Sequence, residues 1–137
     1  MDTLNVRVLN SNDYDDILVG WWKDWGWQPP AKDFLPDDGT CGMMVLDGDT
    51  PVCAGFMYVT NSKVAWVDWI ISNKQYREKP GRKEAISMLV SSLTEACKNS
   101  GNKYIYALIK SPSLISTYEE FGYIKGDSYT GEMIKAF

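Results

Sequence analysis

Residues 74–83 read Lys74-Gln75-Tyr76-Arg77-Glu78-Lys79-Pro80-Gly81-Arg82-Lys83, and residues 118–123 read Tyr118-Glu119-Glu120-Phe121-Gly122-Tyr123. Between them, Ile86, Leu89, Val90, Leu93, Ala96 and Cys97 recur at the spacing that lines one face of a helix, predicted over residues 82–100 with Gly101 as its stop. Residues 104–109 form a strand. A helix of this length between two strands predicts a crossover, so that strand runs parallel to the one preceding the basic loop. The preceding strand spans residues 64–72, with Trp66, Asp68 and Ile70 on one face and Ala65, Val67, Trp69 and Ile71 on the other. A strand apolar on both faces is central in its sheet.

Upstream, residues 4–9 alternate as a half-buried strand. Ser11-Asn12-Asp13 offers helix caps, and Tyr14, Ile17, Leu18, Trp21, Trp22 and Trp25 make one apolar helical stripe that ends at Gly26. Residues 27–39, with three prolines, read as an irregular loop long enough to be functional. Strands over 40–46 and 52–60, joined by Asp47-Gly48-Asp49, complete an antiparallel meander with the 64–72 strand. Downstream, a short helix over 114–121 and a final strand over 129–136 are expected. The whole reads as one α/β (α+β) domain, residues 1–137, on a mixed, mostly antiparallel sheet with helices on both faces.

Composition narrows the function. With 45% hydrophobic and 13% aromatic residues, the chain can build a packed core. It has no histidine, which excludes Ser-His-Asp and Cys-His triads and leaves any metal site to carboxylates. Cys41, Cys53 and Cys97 are odd in number, scattered and set in apolar runs, as expected of reduced cysteines in a cytoplasmic protein. Met1-Asp2-Thr3 does not resemble a signal peptide, and no apolar run approaches about 18 residues, so no membrane span is expected.

Charge is unevenly distributed. Residues 1–50 hold ten acids and three bases, whereas residues 51–137 hold eight acids and eleven bases. The net charge of −4 argues against nucleic acid, which needs a broad basic face. A compact basic spot at 74–83 fits a small anion better. Arg82 and Lys83 in a helix's first turn oppose the partial positive charge there unless an anion binds. The alternative is that both side chains reach into water.

Three further features carry candidate chemistry. Asp68 is a lone carboxylate in an apolar strand, either a general base or a structural group bound to a backbone N–H or a basic side chain. Tyr118 either supplies a proton or packs on the sheet beneath a glycine helix stop. Trp27, Phe34, Asp37 and Asp38 set aromatic rings beside acids in the long loop, an ordinary surface loop unless a ligand binds there.

The element order, with its basic loop before the long helix, resembles the GNAT acyltransferase superfamily over nearly the whole chain. Its small size and tryptophan content are similar to members encoded by bacteriophages. In that superfamily an Arg/Gln-x-x-Gly-x-Gly/Ala loop cradles the pyrophosphate of acyl-coenzyme A. Here the corresponding run is Arg77 to Arg82, with Pro80 and Arg82 at the two glycine positions. Proline supplies no N–H, so either Arg77, Lys79, Arg82 and Lys83 replace the cradle with side chains or the cofactor site has degenerated. The resemblance implies a cofactor site of Ile70, Ile71, Arg77, Lys79, Gly81, Arg82 and Lys83 for acetyl-CoA or another acyl-CoA. It also implies that backbone N–H groups of a splayed fourth strand hold the carbonyl oxygen.

Tyr118 to Tyr123 is similar to the superfamily's Tyr-x-x-x-Gly-Phe pattern and implies Tyr118 as the acid that protonates the leaving thiolate. In the superfamily the segment between the first helix and the second strand often lines the acceptor site, so the resemblance implies that Trp27, Phe34, Asp37 and Asp38 hold a cationic or partly aromatic acceptor. The expected activity is N-acetyl transfer to an amine, either a small molecule such as a polyamine or aminosugar or a protein lysine, with a homodimer as one expected assembly. The alternative is a non-catalytic binding or regulatory protein on the same fold.

Overall fold

The computed structural model describes residues 3–137, so the reading of Met1 and Asp2 against a signal peptide lies outside the described residues. A single sheet holds strands β1 (Leu4–Val8), β2 (Gly42–Asp47), β3 (Thr50–Val59), β4 (Val64–Ser72) and β5 (Tyr104–Tyr106), in that order. All neighbours are antiparallel except β4 and β5, which are parallel, as the intervening helix requires. Among the described residues, no helix is long and apolar enough to cross a membrane, and no cluster of ligand-type side chains could hold a metal.

One face of the sheet is covered by α2 (Arg82–Asn99) and α3 (Pro112–Glu120). Leu89, Val90, Leu93 and Cys97 pack there against Val45, Cys53, Ala65 and Val67. The other face carries α1 (Val19–Asp24), entered through a π-helical turn at Tyr14–Leu18. Leu18, Trp21 and Trp22 pack there against Met44, Ala54, Phe56 and Ile71. The sequence stripe is therefore the buried face of this helix.

The sequence expectations differ from the structure in three places. Asp13 caps no helix; its carboxylate takes a two-pronged bond from the Arg7 guanidinium at 2.8 and 2.9 Å and a third from Asn10 N–H. A cation on the neighbouring strand outcompetes the helix for that carboxylate. The strict alternation expected along β4 breaks at Trp69. Phe56 pairs with Asp68 and Ala54 with Ile71, so β4 spends three steps where β3 spends two. This bulge sends Ile71 to the α1 face although Ala65 and Val67 face α2. Third, the strand expected over 104–109 ends at Tyr106, and residues 129–136 form no strand and are exposed. Their would-be neighbour, β5, is three residues long and leaves the sheet at once, so it offers no extended ladder.

Candidate active site

The parallel pair supplies the site. Val64, Ala65 and Trp66 pair with Tyr104, Ile105 and Tyr106, and then the strands part. Trp69 sits at the opening with φ 58°, a left-handed backbone that a bulky residue adopts only under constraint. Asp68 provides that constraint. Its carboxylate accepts Trp69 N–H at 3.0 Å and Leu108 N–H at 3.1 Å, tying the bulge on β4 to the chain leaving β5. Burial raises the pKa of this carboxyl; the two backbone N–H groups pull it down, and the charge of Glu132 pushes it up again.

Tyr118 closes the same gap from the α2 side. It is 2% exposed, and its hydroxyl donates to Val67 O at 2.8 Å, the carbonyl next to Asp68. Burial, then the charge of Asp68, pushes its phenol far above the ordinary value. Gly122 at φ 89° lets Tyr123 N–H return to Tyr118 O and sets the two rings edge to face, 4.9 Å apart. The tyrosine-to-tyrosine pattern is thus a helix stop with its usual apolar contact.

Beyond the gap lies a cleft of about 530 Å³. Ile70, Ile71 and Ser72 of β4 form one wall, Arg82, Lys83 and Ile86 of α2 a second, and Ser113, Leu114 and Thr117 of α3 a third. The N-terminus of α2 has no side-chain cap, which leaves first-turn N–H groups for a ligand. Arg82 donates to Ser72 Oγ at 3.2 Å, while its Nε is buried without a partner among the described residues. A buried guanidinium N–H with no acceptor is unfavourable until an anion supplies one. The loop before α2 is pinned by Tyr76, whose hydroxyl donates to Asp47 at 2.6 Å; that bond, with burial, pushes its phenol up to about 12.

Of the residues predicted for the cofactor, Ile70, Ile71, Arg82 and Lys83 meet in this cleft. Gly81 is buried at the helix start, and Arg77 and Lys79 are exposed on the preceding turn, outside the cleft lining. The residues predicted for the acceptor are not gathered together. Trp27 lines the cleft just described. Phe34 sets its ring edge-on to Trp69 at the bulge, 5.5 Å between centroids. Asp37 lines a smaller cavity with Cys41, Met57 and Leu93, and Asp38 beside it is exposed; both aspartates have positive φ.

Sequence reading missed Ser72, Ser113 and Thr117 as cleft residues. For the α3 pair a signal was present: Ser111-Pro112 is a helix-start pattern, and Ser111 Oγ does accept Leu114 N–H at 3.4 Å. Nothing local marks Ser72.

This mixed sheet, antiparallel up to β4 and parallel between β4 and β5, with helices on both faces, gives the chain the fold of the GNAT acetyltransferases. It is similar to an aminoglycoside acetyltransferase from an uncultured soil metagenomic sample, solved with sisomicin, at TM-score 0.70 and 9% identity over 98% of this chain and 97% of that one. It is similar to glucosamine-6-phosphate N-acetyltransferase from Arabidopsis thaliana at TM-score 0.66 and 12% identity, covering 97% and 99%. A transcriptional regulator from Bacillus halodurans C-125 shares the fold at TM-score 0.69 and 13% identity, covering 96% and 99%. No protein-family model matches the sequence, and no curated protein does.

Proposed function

We propose that this chain is an acyl-coenzyme A-dependent N-acyltransferase, with acetyl as the transferred group. The observation that carries the reading is the buried, partnerless Arg82 Nε in a cleft at an uncapped helix N-terminus. Such a cleft suits a phosphorylated carrier, and a side-chain donor there compensates for the N–H that Pro80 lacks. Bound acyl-coenzyme A would supply an activated thioester carbonyl. Arg82 and Lys83 would hold its phosphates, and Ile70 and Ile71 would line its arm, with Arg77, Lys79 and Gly81 as the approach to the phosphate end. Asp68 Oδ would take the proton released by the attacking amine, a role favoured by its raised pKa. Tyr118 Oη holds the proton that the leaving sulfur needs, and delivering it means exchanging Val67 O for that sulfur.

The ten acids in residues 1–50 favour a cationic acceptor, with Phe34 against the bulge as its contact, while Asp37 and Asp38, at and beside the separate smaller cavity, add to the acidic charge of this half. Aminoglycoside and glucosamine-6-phosphate acetyltransferases of the same fold support a small-molecule amine over a protein lysine. Three free cysteines, two of them buried, support a reducing compartment such as the cytoplasm.

The test is thermal unfolding with and without acetyl-coenzyme A, followed by transfer to polyamine, aminosugar and lysine-peptide acceptors. Ligand at about 100 times its Kd should add about 2.7 kcal/mol. No shift at millimolar cofactor overturns the reading. A second reading, a non-catalytic regulatory protein, is favoured by the commitment of the Tyr118 hydroxyl to Val67 O and by the shared fold of the Bacillus regulator. A cofactor shift without turnover on any amine would select it.

A further inference from the structure

Trp27 stands apart from the other tryptophans of its region. Trp21 and Trp22 are buried in the core, whereas Trp27 is 55% exposed and lines the basic cleft. Its position is set by the end of α1. Gly26, at φ 80°, reverses the chain; Trp27 N–H donates to Trp22 O at 2.9 Å and Gly26 N–H donates to Lys23 O, the pair of hydrogen bonds of a glycine helix stop. The reversal lays the Trp27 ring on that of Trp25, with centroids 5.8 Å apart and planes 18° from parallel.

Trp25 is in turn fixed. Its indole N–H donates to Ser72 O at 2.8 Å, and Lys74 Nζ lies 5.4 Å from its ring centroid while donating to Asp24 O. Ser72 also accepts from Arg82 through its hydroxyl. One residue therefore joins the stacked indoles to the guanidinium. The result is a flat aromatic surface held in register with an anion-binding group across a single cleft.

The surrounding charge decides what that surface takes. Lys74 lies against the stack, and Arg82 and Lys83 line the same cleft, so a cationic amine would be repelled. A neutral planar ring carried on a phosphorylated ligand satisfies both halves of the cleft. We infer that Trp27 is the stacking surface for the purine ring of a nucleotide-bearing ligand, which on the acyl-coenzyme A reading is the adenine of the carrier. Trp27 then selects the carrier and does not contact the amine, in contrast to its expected place in the acceptor loop.

The probes are coenzyme A and 4′-phosphopantetheine, which shares the arm and one phosphate but lacks the purine. Titration calorimetry would compare both on the wild type, Trp27→Phe and Trp27→Leu; the exposed position leaves the folded core intact, which circular dichroism checks. Trp27→Leu should weaken coenzyme A by about 5- to 150-fold, the range of one base stacked on an aromatic ring, with Trp27→Phe between it and the wild type. Phosphopantetheine should bind all three proteins alike. Unchanged coenzyme A affinity in Trp27→Leu overturns the inference, and so does an equal loss for both probes, which would make Trp27 only a wall of the cleft. If the wild type binds neither probe, the acyl-coenzyme A reading itself falls and takes this inference with it.

Discussion

The hydroxyl of Tyr118 donates to the carbonyl of Val67 at 2.8 Å, across the gap where β4 and β5 part. A backbone acceptor that would otherwise pair with the next strand is satisfied by a side chain from α3. Tyr118→Phe leaves that buried carbonyl unpaired and should cost about 1–3 kcal/mol in denaturant unfolding. If Tyr118 is also the acid, kcat falls while the Kd for acetyl-coenzyme A stays nearly constant. An unchanged kcat would confine the residue to structure.

Asp68→Asn tests the carboxylate in the same gap. An amide oxygen replaces only one of the two acceptors now serving Trp69 and Leu108, so a loss of about 1–3 kcal/mol is expected. Burial raises this carboxyl's pKa, so if it is the base, kcat should rise with pH along a limb above the ordinary carboxylate range. The asparagine variant should lose that limb; a pH profile identical to wild type would rule Asp68 out as the base.

Arg82→Gln should weaken coenzyme A binding and flatten its dependence on salt, because a desolvated charge-assisted contact is lost. Arg77→Gln, on the exposed turn outside the cleft lining, should do much less. Equal effects of the two, read by titration across ionic strengths, would move the phosphate site out to the loop.

Arg7 and Asp13 form an ion pair that ties β1 to the turn before the first helix. Asp13 is 3% exposed, so Arg7→Leu strands a buried charge and should cost about 3 kcal/mol. Burial pushes the Asp13 carboxyl up, but bonds from Arg7 and Asn10 hold it below its ordinary value overall. Its contribution is therefore full above about pH 3.9 and is lost as pH falls through the lower folded value. Asp68 has the opposite sign, because its raised value makes stability decline as pH climbs from about 3.9 through the folded value. In acid unfolding curves, Arg7→Leu should remove the low-pH loss and leave the Asp68 decline visible.

Gly42→Ala addresses the sheet itself. A Cβ on Gly42 would collide with the carbonyl of Gly55 on β3, a backbone atom that cannot rotate away. The variant should lose about 1–3 kcal/mol by forcing β2 and β3 apart. Gly131→Ala, where no atom lies within reach of the new methyl, serves as the control and should change stability little.

Much of this molecule is legible residue by residue. The stripe from Tyr14 to Trp25, the meander, the long helix and the glycine stops at 26, 101 and 122 follow from periodicity and from which residues tolerate positive φ, because those are local properties of the chain. The parallel turn of β5 follows from the length of α2. The lone acid in β4 and the tyrosine before Gly122 stood out for the same reason: each departs from a local pattern.

What the sequence could not determine is what those residues face. Trp69 carries no mark of a left-handed backbone, and the bulge there exists because β3, β5 and the Asp68 carboxylate meet around it. Residues 129–136 have a strand's composition, but a strand needs a neighbour, and β5 ends too soon to be one. In the basic stretch from Lys74 to Lys83, the sequence alone set the charge, the missing N–H at Pro80 and the start of the helix at Arg82. Only the tertiary structure placed Arg82 and Lys83 in the lining of the cleft with Ser72 and the tryptophan pair, and left Arg77 and Lys79 outside it. That division depends on contacts between residues far apart in the chain, and local patterning does not encode them.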